Sequence, residues 1–167
     1  IHEDGDIYDG EWHNGKKHGK GIMTHKNNKI YHGIWSKQKF IKGKVEFWNR
    51  DIYEGEWENY NRDKGHRGNP VGNGKMTYRD GNIYEGLWEK GERTKGKMTY
   101  KNGDIYEGLW EKGEMTKGKM TYKNGDIYEG SWENQNKEGF GKMKYSNGDF
   151  YEGLWHNDLK QGKGKMT

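Results

Sequence analysis

Along most of this chain, aromatic, apolar or glycine residues occupy every second position, and largely polar or charged residues stand between them. The clearest instance is a tyrosine, a glycine and a tryptophan on alternate positions, as in Tyr106-Glu107-Gly108-Leu109-Trp110. A period of two places such residues on one face of a β-strand. The triplet begins at Tyr8, Tyr31, Tyr53, Tyr84, Tyr106, Tyr128 and Tyr151. We therefore predict seven strands of one kind.

The spacing of these triplets is nearly constant. They return after 22 or 23 residues, except for one interval of 31 residues between Tyr53 and Tyr84. A fixed period of this length is typical of repeat architectures, in which each unit packs mainly on its neighbours. The period predicts a linear array rather than a globule built around one catalytic pocket.

A second alternating run precedes each triplet from Tyr31 onward. Ten residues before the tyrosine there is a glycine, and eight before there is methionine or valine. Six before stand His25, Phe47, Tyr78, Tyr100, Tyr122 and Tyr145. Between the two runs lie turn residues such as Asn102-Gly103-Asp104, a strong hairpin signal. Each repeat is therefore predicted to be a β-hairpin.

The loop length was inferred from which residues would share a face. A two-residue Asn102-Gly103 loop puts Tyr106 on the face opposite Tyr100. A three-residue loop, Asn102–Asp104, pairs Tyr100 with Tyr106, Met98 with Gly108 and Gly96 with Trp110, so that large residues oppose small ones. We favour the three-residue loop for that reason.

The other face carries lysine and glutamate in every repeat, with a few leucines and isoleucines. The long interval after Trp57 holds nine extra residues and the only proline, Pro70. We predict a loop insertion at about 59–71, within a repeat array that covers residues 1–167.

Composition limits the thickness of the fold. Hydrophobic residues are 28% and charged residues 34% of the chain, and the mean hydropathy is −1.47. Such values are typical of disorder, but 14% aromatic content and the strict period oppose it. The apolar material suffices for one layer. We predict an all-β fold: an elongated, single-layer antiparallel sheet of about seven stacked β-hairpin repeats, twisted into a shallow trough.

Charge and cysteine content exclude several functions. The net charge is only +4, both signs alternate, and no nucleic-acid partner is expected. No segment is apolar enough for a transmembrane helix, and the absence of cysteine fits a cytoplasmic location. The chain starts at Ile1 and ends within a further repeat, so we expect it to be part of a longer protein.

Catalytic and metal chemistry find no support in the sequence. Gly-Lys-Gly runs such as Gly19–Gly21 lack the spacing and the following helix of a phosphate loop. The seven histidines show no ligand spacing. We therefore predict no catalytic residue, no metal and no cofactor.

The repeats resemble the MORN family (membrane occupation and recognition nexus). The segment Tyr8–Gly21, YDGEWHNGKKHGKG, nearly matches the family pattern, whereas later units read Thr-Lys-Gly-Lys where the family prefers His-Gly-x-Gly. The resemblance implies stacked hairpins in a single-layer sheet. It also implies a scaffold associated with the cytoskeleton or membranes, and dimers joined through terminal repeats.

The aromatic face is the candidate partner site, because a single layer leaves one side of it partly uncovered. We expect tryptophan rings to be buried, tyrosine edges to be exposed, and a peptide or helix to dock there. The candidate residues are Tyr53, Trp57, Tyr78, Tyr84, Trp88, Tyr100, Tyr106, Trp110, Tyr122, Tyr128, Trp132, Tyr145 and Tyr151.

Two other functions remain open. The outer face could bind anionic phospholipids through the recurring lysines Lys75, Lys97, Lys119 and Lys142. The array could also be a plain spacer in a larger protein.

Overall fold

The computed structural model describes residues 5–61 and 66–167, and these form β-strands joined by short loops. The strands are β1 (Ile7–His13), β2 (Lys16–Thr24), β3 (Ile30–Ser36), β4 (Lys39–Glu46), β5 (Ile52–Asn61), β6 (His66–Thr77), β7 (Ile83–Glu89), β8 (Glu92–Thr99), β9 (Ile105–Glu111), β10 (Glu114–Thr121), β11 (Ile127–Glu133), β12 (Asn136–Lys144), β13 (Phe150–His156) and β14 (Leu159–Met166). Their order in the sheet follows their order in the chain. The predicted all-β class, one antiparallel sheet of about seven hairpin repeats, is confirmed.

The chain divides into two compact units. The N-terminal unit contains the described residues up to Gly81 together with Leu87–Gly91. The C-terminal unit contains Asn82–Gly86 and Glu92–Thr167.

The register of the predicted hairpin differs from our expectation. Met98 opposes Tyr106 and Gly96 opposes Gly108, so the predicted Tyr100–Tyr106, Met98–Gly108 and Gly96–Trp110 pairs are wrong. The loop does have three residues, but they are 101–103 rather than 102–104. The Gly103 amide donates to the Tyr100 carbonyl (2.9 Å), which closes a turn that ends in Gly103 at φ 97°. Glycine is thus the last loop residue, as in a type I turn followed by a left-handed residue.

A second kind of loop joins six of the triplet strands to the strands after them, and sequence reasoning missed it. In the described residues there are six of these two-residue loops, each with positive φ at both positions: 14–15, 37–38, 90–91, 112–113, 134–135 and 157–158. This is the type I′ turn, which matches the twist of a hairpin. The repeat therefore alternates two tight turns.

Glycines oppose glycines across the sheet and leave room for tyrosine rings. In the C-terminal unit the row comprises Gly96, Gly108, Gly118, Gly130, Gly141, Gly153 and Gly164. A Cβ on Gly118 would lie 2.7 Å from the Tyr106 ring and 2.5 Å from the Glu107 carbonyl oxygen. Gly108 and Gly118 make room for the Tyr106 ring. We predicted instead that such glycines make room for methionine and tryptophan.

In several repeats an aspartate follows the three-residue loop and links one repeat to the next. Asp104 accepts a hydrogen bond from the Lys123 amide through Oδ1 (2.8 Å), and Asp126 accepts one from the Ser146 amide (2.8 Å). Asn102 holds the Asp104 carboxylate from the other side (2.7 Å). Successive loops are therefore held together along the array.

Much of the predicted insertion loop is strand. Strands β5 and β6 continue past the usual turn, with Glu58 opposite Asn69 and Tyr60 opposite Arg67. Residues 62–65 of the insertion lie outside the described residues. We call residues 58–61 and 66–69 the extended hairpin.

Candidate functional site

The tyrosines and tryptophans of the triplets form a buried aromatic row. In the C-terminal unit, Tyr106 meets Trp110 of its own strand edge to face at 5.1 Å and Trp132 of the next repeat at 5.9 Å. The triplet tyrosines from Tyr31 to Tyr151 are at most 6% exposed, and the triplet tryptophans from Trp35 to Trp155 are at most 7% exposed. The expectation of exposed tyrosine edges is wrong for the triplets, because each ring lies over the glycine row and packs against the next tryptophan.

Hydrogen bonds satisfy most polar atoms of this row. The hydroxyl groups of Tyr106, Tyr128 and Tyr151 donate to the carbonyl three residues ahead, at 3.0 to 3.1 Å. Trp132 and Trp155 donate through Nε1 to the glycine carbonyl fourteen residues earlier. Burial raises the pKa of Tyr53 to about 12 and raises the pKa values of Tyr106 and Tyr128 as well. These rings serve as a core in which Trp110 Nε1 is buried without a hydrogen-bond partner among the described residues.

A second aromatic row on the same face is only half-buried. In the C-terminal unit it consists of Tyr100, Tyr122 and Tyr145, which we call the rim tyrosines. Each stands where a strand enters its three-residue loop. Burial raises the pKa values of Tyr100 and Tyr122 above the ordinary tyrosine value. The rim tyrosines are the accessible part of the predicted face.

The residue fifteen positions after each rim tyrosine lies against it. The Tyr100 hydroxyl donates to Met115 Sδ (3.5 Å). Lys137 Nζ lies 5.7 Å from the centre of the Tyr122 ring, and Lys160 Nζ lies 5.1 Å from that of Tyr145. Two rim tyrosines therefore carry a cation beside the ring.

These two lysines differ in their ion pairing. Lys137 pairs with Asp158 (3.0 Å). Burial disfavours its ammonium group, but the hydrogen bonds to Asp158 and Tyr122 outweigh that cost and raise its pKa. Lys160 is exposed. Its Nζ lies beside the Tyr145 and Tyr151 rings and 3.6 Å from Met166 Sδ. Lys160 therefore offers a positive charge to a ligand on this face.

In the N-terminal unit the chain itself covers the aromatic face. Tyr60 of the extended hairpin is 1% exposed and lies 4.7 Å from Tyr31 and 5.3 Å from Trp35, between ring centres. Its hydroxyl contacts His25 Nε2 (3.1 Å), and His25 Nδ1 contacts Asp6 (2.7 Å).

The backbone of the extended hairpin is held on the same face. The Arg67 carbonyl accepts hydrogen bonds from the Tyr31 hydroxyl (3.1 Å) and from Trp57 Nε1 (3.2 Å). An extended segment therefore fits against the aromatic rings of this fold, with a side chain inserted and a backbone oxygen bound.

The lysines of the outer face lie between glutamates. Lys97 opposes Glu107, and Lys119 lies between Glu107 and Glu129. Lys142 lies between Glu129 and Glu152, pairing with the latter at 3.2 Å. Lys75 opposes Glu54. The row alternates in sign, so it offers an anionic lipid surface little net attraction.

The predicted site residues thus fall into two groups. Nine belong to the buried row: Tyr53, Trp57, Tyr84, Trp88, Tyr106, Trp110, Tyr128, Trp132 and Tyr151. Tyr78 and the three rim tyrosines are half-buried. Sequence reasoning missed Met115, Lys137 and Lys160, although all three follow a triplet tryptophan by five residues.

The comparison with known families identifies the repeat. The sequence profile of the MORN repeat matches residues 8–29, 53–63, 66–83, 84–105, 106–127, 128–150 and 151–167. These segments cover most of the chain, which therefore belongs to the MORN repeat family. Strands β3 and β4 lie between the matched segments, yet they pair in the same way, with Gly33 opposite Gly43.

The solved structures that match this chain include the following two. One is the SAS-4 (dCPAP) TCP domain of Drosophila melanogaster, in complex with a proline-rich motif of Ana2 (dSTIL). It is 13% identical, the match covers 89% of this chain and 83% of that one, and the TM-score is 0.52. The other is the TCP10 domain of Danio rerio CPAP in complex with a peptide of Danio rerio STIL, with 12% identity, the same coverage and a TM-score of 0.35. The first likeness shows a shared fold.

No curated protein matches the sequence. Among the described residues, no helix is long and apolar enough to cross a membrane.

Proposed function

We propose that this chain is a non-catalytic protein-interaction scaffold that binds a peptide segment along the rim tyrosines of the C-terminal unit. The observation that carries the proposal is the row of three half-buried tyrosines in successive repeats, next to Lys137 and Lys160. Aromatic side chains with a nearby charge are typical of sites that recognise peptides.

Two further observations support a peptide as the partner. The extended hairpin shows that a strand-like segment packs well on the equivalent face of the N-terminal unit. The fly protein of similar fold was solved with a proline-rich motif. Alternation of lysine with glutamate on the outer face does not favour the lipid-binding alternative.

A display experiment tests the proposal. Selection of a random 12-residue peptide library on the immobilised protein should yield binders, and the double variant Tyr122→Ala/Tyr145→Ala should retain less than a tenth of their affinity. The control variant Leu109→Ala/Leu154→Ala alters two exposed outer-face residues and should bind normally. Absence of binders, or equal loss in both variants, would overturn the proposal. Circular dichroism should verify that both variants are folded.

Self-association through terminal repeats is a second candidate. Trp12 is 53% exposed, whereas the other triplet tryptophans are at most 7% exposed. Among the described residues, β1 and β14 each have a neighbouring strand on one side only, and such edges favour pairing with another chain. Light scattering should then report a dimer that Trp12→Ser weakens. A monomer at high micromolar concentration would rule the candidate out.

We also propose a cytoplasmic location for this scaffold, associated with the cytoskeleton or a membrane. Microscopy of the tagged full-length protein would check it.

A further inference from the structure

We infer that the bound segment is a proline-rich chain in the polyproline II conformation that runs across the strands, with a proline at every third residue and an acidic residue near Lys160. The prolines would lie over Tyr100, Tyr122 and Tyr145. This inference rests on the proposed peptide-binding role and specifies the conformation and the charge of the ligand.

The first argument is the spacing of the rim tyrosines. They occupy equivalent positions in successive hairpins, directly after β8, β10 and β12. Neighbouring strands lie about 4.8 Å apart, so two strands per repeat separate the tyrosines by about 9.6 Å. A polyproline II helix rises about 3.1 Å per residue with three residues per turn, which gives about 9.3 Å. Every third residue of such a helix therefore returns to the same face in step with the tyrosines.

Other peptide conformations fit this spacing less well. Seven residues of an α-helix, the interval that returns to one face, span about 10.5 Å. The mismatch with two repeat steps would then reach about 2 Å. In an extended strand, three residues span about 10 Å but point the third side chain to the opposite face. Only the three-residue period matches both the distance and the direction.

The chemistry of the rim suits such a ligand. A polyproline II segment makes no internal hydrogen bonds, so its carbonyl groups need donors. The rim tyrosines provide hydroxyl donors, and that of Tyr100 is bonded to a thioether, which is a weak acceptor. The flat rings accept proline side chains, and a preformed helix loses little entropy on binding.

The charges of Lys137 and Lys160 indicate where an acidic residue of the bound peptide would lie. The Lys137 charge is already paired with Asp158. Lys160 is exposed beside Tyr145, 4.8 Å from the Tyr151 ring centre, and no carboxylate of the described residues forms an ion pair with it. An acidic residue of the ligand beyond the proline over Tyr145 would pair with it.

Synthetic peptides of equal composition test the period. Fluorescein-labelled PAAPAAP, with prolines three apart, is compared with PAPAPAA, whose prolines are two apart. Each is made with aspartate at both ends and, separately, with lysine at both ends. We expect the aspartate-flanked PAAPAAP to bind at least tenfold more tightly than the other three in fluorescence anisotropy. Lys160→Glu should reverse the preference between aspartate and lysine flanks, and Tyr122→Phe should retain more affinity than Tyr122→Ala.

The outcomes separate this inference from the proposed function. Equal affinity for both proline spacings overturns the polyproline II register. Library binders with apolar residues seven apart, or alternating, likewise overturn it while leaving peptide binding intact. A library that yields no binder overturns both.

Discussion

The two units are built from the same repeat but differ in what packs on their aromatic faces. In the N-terminal unit, nine additional residues in the β5–β6 connection bring Tyr60 onto the aromatic face, where it is 1% exposed among Tyr31, Trp35 and His25. In the C-terminal unit the rim tyrosines stay half-buried. The comparison teaches that the triplets provide the core in both units, and that the N-terminal unit adds a further buried ring, Tyr60, to its aromatic face, whereas the C-terminal rim tyrosines stay half-buried.

The largest expected effect comes from removing the cover. Tyr60→Ala should lower the free energy of unfolding by about 3–5 kcal/mol, because it empties a closed aromatic cluster. Tyr122→Ala, at a half-exposed position, should cost about 1 kcal/mol. Urea denaturation followed by tryptophan fluorescence measures both. Similar losses in the two variants would show that the faces are not differently covered.

A milder change at the same site isolates the hydroxyl group. Tyr60→Phe keeps the ring contacts and removes the hydrogen bond to His25, so it should cost about 1 kcal/mol. A loss as large as that of Tyr60→Ala would place the stabilisation in the Asp6–His25–Tyr60 network rather than in ring packing.

Alanine substitutions in the glycine row should lower the stability of both units by similar amounts. Gly118→Ala places a Cβ 2.5 Å from the Glu107 oxygen, and Gly33→Ala places one 2.1 Å from the Lys42 oxygen. Both neighbours are backbone atoms that cannot turn away, so each variant should lose about 2–3 kcal/mol in urea denaturation. Ser131→Ala on the outer face is the control and should change stability by less than about 0.5 kcal/mol. A large difference between the two glycine variants would mean that the row is not a shared device.

Buried cations should distinguish the units by pH. Burial, with a smaller contribution from Arg67, lowers the pKa of Lys29 to about 8, although its ammonium lies 4.6–5.1 Å from three aromatic rings. The unfolded chain keeps this proton up to the ordinary lysine pKa of about 10.4. Stability rises with pH where the unfolded state binds more protons, so this lysine adds a rise above about pH 8.

Lys29→Met should remove that rise and stabilise the protein at pH 7 by about 1 kcal/mol, after allowance for partial exposure and the ring contacts. The matched variant Lys137→Met should destabilise, because it removes the ammonium group that pairs with Asp158 and leaves that carboxylate the hydrogen bond from the residue 137 amide. Thermal unfolding between pH 7 and 10 measures both. A parallel pH dependence in wild type and Lys29→Met would contradict the assignment.

The sequence predicted the strands and their faces because both follow from a period of two. The Asn-Gly signal located the three-residue loop to within one residue, and Gly103 at the wrong loop position then shifted the pairing by two residues. Because a shift of two residues moves no side chain to the other face, the predicted membership of the aromatic face is correct although the predicted register is wrong.

The rim could not be separated from the core by sequence alone. Tyr100 and Tyr106 are the same residue type on one face, and only the observed register shows that Tyr106 lies over glycines while Tyr100 stands at a loop. The cover by Tyr60 depends on a strand extension in a segment whose nine extra residues and single proline predicted a loop. Lys160 follows a simple offset from Trp155, but its meaning depends on the observed distance to Tyr145.

The smallest effect concerns the type I′ loops, where non-glycine residues occupy left-handed backbone. Gln135 has φ 65° and is exposed, and its side chain makes no hydrogen bond to the part of the chain that the structure describes. Left-handed conformations cost an L-residue about 1–2 kcal/mol, and glycine gives back part of the gain through its greater unfolded freedom. Gln135→Gly should therefore stabilise the C-terminal unit by about 0.5–1 kcal/mol.

The equivalent residue of the N-terminal unit should behave differently. Gln38 has φ 74°, but its Oε1 accepts a hydrogen bond from the Lys17 amide (2.8 Å). Gln38→Gly relieves the backbone and removes that bond, which contributes about 1 kcal/mol, so the two changes should nearly cancel. Thermal denaturation of the two single variants measures the difference. Equal stabilisation by both variants would mean that the Gln38 hydrogen bond adds nothing. A loss of stability in Gln135→Gly would mean that the loop is not strained. In either case the contrast between the units would be confined to the aromatic face.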